Sequence, residues 1–276
     1  MKIKTYQIDA FTNQPFKGNP AGVCVLEEPL EESLMQSIAA EMNLSETAFF
    51  YPILNDPDYP EDFYNLRFFT PTVEIPLCGH ATLATSKLLF HLKKVTSGEI
   101  RFKTQRGILT IAEQEGKIEM DFPLDELVDC TPSEELLKVL GLKKVVDSKF
   151  GVNTNFLLLR VEDVETVKQI QPDYGQLLNI SAGIDLEAVI VTSTGNAPFD
   201  FSSRVFGPWV GIDEDPVTGS AHTVLGPYYA EVLNKKTLNA LQCSERTGEL
   251  GLSITENNRI KIRGEAVIVL GGYLNI

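Results

Sequence analysis

The sequence predicts an α+β protein of two similar domains, each a curled β-sheet or barrel around a central helix. Three observations predict it. The chain has 276 residues, 43% of them hydrophobic, enough for each of two halves to bury its own core. Segments of the first half recur in the second. Each half also contains a charge-poor helical stretch that starts at a glycine-containing polar turn.

The repeat is read from four matches in one order. SETAFFYP from Ser45 matches LEAVIVTS from Leu186, setting Glu46 against Glu187. FTP at Phe69 matches FGP at Phe206. CGHATLA at Cys78 matches TGSAHTVLG at Thr218, and LTIAEQEGKIEMD from Leu109 matches LSITENNRIKIR from Leu252. The offsets are 187 − 46 = 141, 206 − 69 = 137, 219 − 79 = 140 and 252 − 109 = 143. The halves are placed at 1–125 and 126–276, joined near PLDELVDCTPSEE at 123–135, with terminal strands free to cross between them.

Within a half the order is strand, helix, strands, helix, strands. AGVCVLEE reads as a strand. PLEESLMQSIAAEMN reads as an amphipathic helix with Leu30, Leu34, Met35, Ile38 and Met42 on one face. TAFFYP and YNLRFFTP are β-rich. HATLATSKLLFHL, after Gly79, has no polar face and so predicts a helix buried on all sides. SAHTVLGPYYAEVL is its counterpart after Gly219.

Composition excludes several function classes. The formal charge is −14, from 38 acids against 24 bases, which disfavours nucleic acid and anionic membranes as partners. No stretch reaches the ~18 apolar residues of a membrane span, and MKIKTYQIDAF lacks the apolar core of a signal peptide. Cys24, Cys78, Cys130 and Cys243 form neither a zinc knuckle nor a CxxC pair, and Cys24 reads as a buried thiol. A soluble, cytoplasmic protein is expected. The three histidines make no HxH or HExxH pattern, so no metal is expected. Dinucleotide and NTP loops are absent, as is a GxSxG elbow around Ser220.

The turns CGHA and TGSA open the two central helices. Helix starts carry unpaired N–H groups and favour negative charge, and glycine lets a ligand approach the backbone. Two such ends would bind a carboxylate-bearing molecule at Gly79 and at Gly219 to Ala221. Ordinary helix starts capped by Thr218 or Ser220 remain the alternative. His80 is a candidate general acid/base or a buried histidine bonded to a carbonyl. His222 is its nearest counterpart, displaced by two residues. Glu46 enters an apolar strand, where burial is expected to raise its pKa toward neutral pH. The alternative is a solvated charge at the strand mouth. Asp215, held extended by Pro216, is a candidate partner for His80 or a turn cap.

DAFTNQPFKGNPAGV, EMNLSETAFF, FTPTVEIPLCGHATLA and GIDEDPVTGSAH strongly resemble the PhzF-like (phenazine biosynthesis-like) family over nearly the whole chain, and its animal branch especially. The family is grouped with diaminopimelate epimerase and proline racemase. The resemblance implies two domains, each a β-barrel around a central helix, and an active site in the cleft between them. It implies Glu46 as acid/base, with His80, Asp215 and Ser220 close by and Asn19 lining the cleft. Ser45, Cys78, Gly79, Thr218, Gly219 and Ala221 join Asn19 as expected substrate contacts. It also implies a homodimer and a reaction without cofactor. The related epimerases use one thiol at each helix start. Here Cys78 matches the first but Pro216 stands at the second, so a two-thiol racemase is not expected.

The expected function is a cofactor-independent isomerase in which Glu46 moves a proton on a small carboxylate-bearing substrate. The alternatives are a protein-interaction module with a relict cleft, and an epimerase or lyase using the same proton chemistry.

Overall fold

Alternating and continuous apolar runs build strands through most of the chain. The computed structural model describes residues 1–54, 62–95, 97–180 and 185–276. Two compact units result: Met1–Asp121 with Arg263–Ile276, and Phe122–Ile262.

In the first unit the chain runs β1 (Lys2–Ala10), β2 (Asn19–Val25), α1 (Glu32–Met42), β3 (Glu46–Pro52), β4 (Phe63–Phe69), β5 (Glu74–Ile75), α2 (Gly79–His91), β6 (Glu99–Thr104), β7 (Gly107–Gln114) and, up to Asp121, β8 (Lys117–Pro123). β1 pairs antiparallel with β2, β2 parallel with β3, β3 antiparallel with β4, β4 parallel with β6, β6 antiparallel with β7 and β7 antiparallel with β8. Each parallel step needs a crossover. α1 makes the first and α2 the second.

The second unit contains β9 (Leu127–Asp129), α3 (Glu134–Val139), β10 (Asp147–Gly151), β11 (Phe156–Arg160), α4 (Val164–Gln169), α5 (Tyr174–Leu177), β12 (Ala188–Thr194), β13 (Phe201–Gly207), β14 (Ile212–Asp215), α6 (Ala221–Leu233), β15 (Thr237–Gln242), β16 (Gly248–Ile254) and, up to Ile262, β17 (Arg259–Gly264). β10 pairs antiparallel with β11, β11 parallel with β12, β12 antiparallel with β13, β13 parallel with β15 and β15 antiparallel with β16. The succession of senses is the one followed from β1 to β7. The last strand, β18 (Ala266–Asn275), pairs antiparallel with β1 and belongs to the first unit.

α2 lies against β1, β2, β3 and β18 and is buried from His80 to Leu89 except at Lys87. Its interior hydroxyls are satisfied along the helix. Thr82, Thr85 and Ser86 donate to the carbonyls of Cys78, Ala81 and Thr82 at 2.7, 2.8 and 2.8 Å. α6 lies against β11, β15 and β16. Pro227, inside it, has no N–H to give Thr223 four residues earlier. That carbonyl instead accepts the Asp125 N–H at 3.1 Å.

α1 buries Met35, Ile38 and Ala39 against Ile3, Cys24, Leu26, Phe49 and Phe69, with Leu30, Leu34 and Met42 partly covered. In the second unit Leu157, Leu159, Val189, Val191 and Phe206 pack with residues of α3, α4 and α5, Leu136, Val167 and Leu177 among them. Both units carry an arginine fork over a phenylalanine. Arg67 clamps Glu74 at 2.7 Å and lies 5.2 Å from the Phe69 ring centre. Arg204 clamps Glu214 at 2.7 and 2.8 Å and lies 5.0 Å from the Phe206 ring centre. No helix of the described residues is long and apolar enough to cross a membrane.

Candidate active site

Glu46 is the first residue of β3, opposite Ala21 of β2. Strands pair along both edges of β3 and the helices α1 and α2 pack on it, and Glu46 is 6% exposed. α2 starts beside this point, with Cys78 extended at its N-cap. His80, in the first turn, brings Nε2 to 3.1 Å from Glu46 Oε2, and both side chains are buried. The other ring nitrogen, Nδ1, lies 3.4 Å from Cys78 Sγ. Glu46, His80 and Cys78 thus form one buried row. Neither Glu46 Oε2 nor His80 Nε2 has a hydrogen-bond partner.

The charges on this row correct the expectation for Glu46. Burial, the largest single influence, opposes its ionisation, but the His80 ring together with hydrogen bonds from Ser45 and Cys78 outweighs it and holds the carboxyl below its ordinary range. Burial likewise opposes an imidazolium at His80. Cys78 and Glu46 on its two sides nevertheless raise it well above the ordinary histidine value. Cys78 itself is pushed up by burial and by the Glu46 charge. At neutral pH it is therefore a thiol, and the charge holding the ring protonated is the Glu46 carboxylate. The resting pair is carboxylate and imidazolium, not a half-protonated acid.

Asn19 and Ser45 adjoin the row. Ser45 donates to Asn19 Oδ1 at 3.4 Å, and Asn19 is fully buried at the start of β2. Gly18 makes that start possible. Its φ is +65°, and a Cβ there would stand 2.1 Å from the Ala10 carbonyl oxygen. The buried Asp9 carboxylate accepts the Phe16 N–H at 2.7 Å and ties the preceding loop to β1.

In the second unit, Asp215, Thr218, Gly219, Ser220 and Ala221 lie together where β14 leads into α6. Thr218 donates to Asp215 Oδ2 at 2.5 Å. Ser220 is exposed and makes no capping bond through its side chain. Gln242, fully buried, holds the turn. It donates to the Asp215 carbonyl at 2.7 Å and accepts the Thr218 N–H at 2.9 Å. Ser244 donates to the Pro216 carbonyl at 2.6 Å. Sequence reasoning missed Gln242, because nothing local in NALQCSE marks a glutamine aimed at a turn 24 residues away. Asp9 and Gly18 were inside a quoted motif but received no role.

His222 is not the counterpart of His80. Its Nδ1–H donates to the Thr218 carbonyl at 2.8 Å, as Thr82 donates to Cys78. Burial lowers it to about 4, against a smaller upward pull from the bond to Thr218, so the ring is neutral.

A family model described as phenazine biosynthesis-like protein, PhzC-PhzF, matches residues 8–272. The chain belongs to this PhzF-like family. The human phenazine biosynthesis-like domain-containing protein is 42% identical, with 99% of each chain covered. An uncharacterized isomerase of Halalkalibacterium halodurans is also 42% identical over 99% of each. A crystal structure of an Enterococcus faecalis protein of the PhzF family superposes with a TM-score of 0.91, at 41% identity and full coverage of both chains. Likeness of fold alone extends to a probable proline racemase of Agrobacterium radiobacter. There the TM-score is 0.59 and the identity 12%, with 99% of this chain and 92% of that one covered. The fold is thus shared with that probable proline racemase, while in this chain Cys78 is the N-cap of α2 and Ser220, not a thiol, is the N-cap of α6.

Proposed function

We propose that the chain is a cofactor-independent isomerase that moves a proton on a small carboxylate-bearing substrate. The isomerase or epimerase kind of function is supported by the PhzF-like family, by the isomerase naming of a close relative and by the racemase-like fold. The finer reading rests on one observation: Glu46 and His80 are buried 3.1 Å apart, and the facing Oε2 and Nε2 lack hydrogen-bond partners. Held ionised at rest, the Glu46 carboxylate is in the form that can accept a proton.

In this reading Glu46 takes a proton from the carbon beside a carbonyl or conjugated carboxylate. The C–H electron pair moves into the conjugated system, and the proton resides on Glu46 until it returns at a second carbon. His80 keeps Glu46 ionised beforehand and stays charged beside the developing anion. The unpaired N–H groups at the start of α2 favour the same negative charge. Asn19, Ser45, Cys78 and Gly79 are proposed substrate contacts. Asp215 and Ser220 are proposed as further catalytic residues, and Thr218, Gly219 and Ala221 as contacts for a substrate carboxylate. A homodimer in the cytoplasm is proposed with them, the dimer to be measured by light scattering.

We also propose that the units are a repeat. The arginine forks support it, with 204 − 67 = 137 and 206 − 69 = 137. Phe69 pairs with Thr47 and Phe206 with Val189. Counting back one residue sets Glu46 against Ala188, and Glu187 against Ser45. This revises the match of Glu46 with Glu187. A one-residue slip puts a strand side chain on the other face, and Glu187 is exposed, accepting from Asn155 Nδ2 at 3.2 Å. Only the first unit then carries the base.

The test is exchange. Incubation in D₂O with small conjugated acids from a metabolite extract should place deuterium on carbon of one of them. Glu46→Gln should slow labelling on the order of 10²- to 10⁴-fold. Labelling that survives Glu46→Gln but is lost in Cys78→Ala would make the thiol the base and overturn the assignment.

A further inference from the structure

We propose that Cys78 Sγ and His80 Nδ1 form a binding site for a thiophilic divalent ion of the zinc or cobalt class, with Glu46 supporting the ring from its other nitrogen. The sequence holds no metal pattern: Cys78 and His80 stand two residues apart at one helix start, and the supporting Glu46 comes from a strand start 34 residues before His80. The fold assembles them: one donor atom from each of Glu46, Cys78 and His80 lies within 4.8 Å of the others, and all three residues are buried.

The spacing suits an ion. Zinc sits about 2.3 Å from a cysteine sulfur and about 2.0–2.1 Å from a histidine nitrogen. With Sγ and Nδ1 3.4 Å apart, an ion at those distances subtends an angle of about 100°, close to tetrahedral. Ligating histidines commonly give their second nitrogen to a carboxylate, which orients the ring. Glu46 Oε2 already stands 3.1 Å from Nε2, and both atoms are buried without a hydrogen bond. A small rotation of the ring would make that bond while Nδ1 faced the ion. The remaining positions on the ion would be left to water or a substrate carboxylate.

Binding replaces the thiol proton of Cys78 and any proton on Nδ1 by the ion. A bound ion therefore occupies the row that the isomerase reading uses, and it is expected to inhibit. The proposal rests on the geometry of the row and not on the reaction assigned to it. Its failure would leave that reading standing.

The experiment is titration of the purified chain with Co²⁺, read by near-ultraviolet absorption. A thiolate-to-cobalt charge-transfer band should grow to saturation at one equivalent and be displaced by Zn²⁺. It should vanish in Cys78→Ser, stay unchanged in Cys243→Ser, and need roughly 10- to 100-fold more cobalt in Glu46→Gln, the range typical for loss of a ligand's supporting partner. Thermal unfolding of each variant shows that it is folded, and Glu46→Gln carries the test if Cys78→Ser is not. No band with excess cobalt, a band that survives Cys78→Ser, or an unchanged affinity in Glu46→Gln would overturn the site.

Discussion

His80 and His222 are both buried, both sit in the first turns of a central helix, and are driven in opposite directions by their neighbours. His80 has a carboxylate at 3.1 Å, whereas His222 has a carbonyl as its bonded partner. Only three histidines are present, the third being His91, so side-chain nitrogen NMR can follow each. At pH 7 His80 should carry protons on both nitrogens, and Glu46→Gln should lower its pKa. His222 should remain the Nδ1–H neutral form down to about pH 4. The two also differ in their linkage to stability. For His222 the folded value lies below the ordinary 6.5, so the unfolded chain binds its proton first as pH falls. Stability is lost from about pH 6.5 down to about pH 4, by roughly 3 kcal/mol from this group. Replacing it, as in His222→Asn, should flatten the pH dependence of unfolding in that window, and an unchanged slope would contradict the assignment. The His80–Glu46 pair behaves otherwise. The raised histidine stabilises below its unfolded pKa and loses this as pH rises through its folded value. The lowered carboxylate stabilises above its own unfolded pKa and loses this in acid. The pair therefore contributes most between the carboxylate and histidine ranges.

Strand and helix starts carry the chemistry, and what was legible in the sequence divides along that line. The amphipathic pattern of α1, the polarless α2 and the β-rich runs around Phe49 and Phe68 are periodic signals, and they place the elements. The CGHA and TGSA turns mark the two helix starts because a glycine beside polar residues interrupts apolar pattern. The charge state of Glu46 was not legible, since it depends on a histidine 34 residues away that only the fold brings near. Gln242 was hidden for the same reason. It satisfies a buried N–H and a buried carbonyl of the turn before α6, so its loss strands both. Each unsatisfied buried group costs about 1–3 kcal/mol, so Gln242→Ala should destabilise by roughly 2–6 kcal/mol in chemical denaturation. A loss under about 1 kcal/mol would mean that the turn holds without it.

At the scale of the whole molecule, the chain's end belongs with its beginning. The reading by halves at 1–125 and 126–276 left terminal strands free to cross between them, and Arg263–Ile276 is part of the first unit. The reason is register. β18 pairs with β1 from Lys2 opposite Asn275 to Ala10 opposite Ala266, with one irregularity between Gln7 and Ile8. Gly271 stands opposite Tyr6, and a Cβ there would come within 2.9 Å of the ring, so the glycine gives the tyrosine room to lie across the strand. Nothing in AVIVLGGYLN points to β1, because pairing between residues so far apart leaves no local trace. Truncation after Glu265 tests the arrangement. It strips β1 of its neighbour, opens a row of backbone donors and acceptors, and uncovers apolar residues such as Ile3 and Tyr6. Hydrogen exchange should then speed up first in β1 and β2, and afterwards in α2, which packs on both and on β18. β11, β12 and β13, whose pairing lies within the second unit, should keep most of their protection. Thermal unfolding should accordingly split, with an early transition that a peptide spanning 263–276 restores when added back. Equal loss of protection in β1 and β12, or early loss confined to β12, would show that the last strand does not support the first unit in the way its pairing implies.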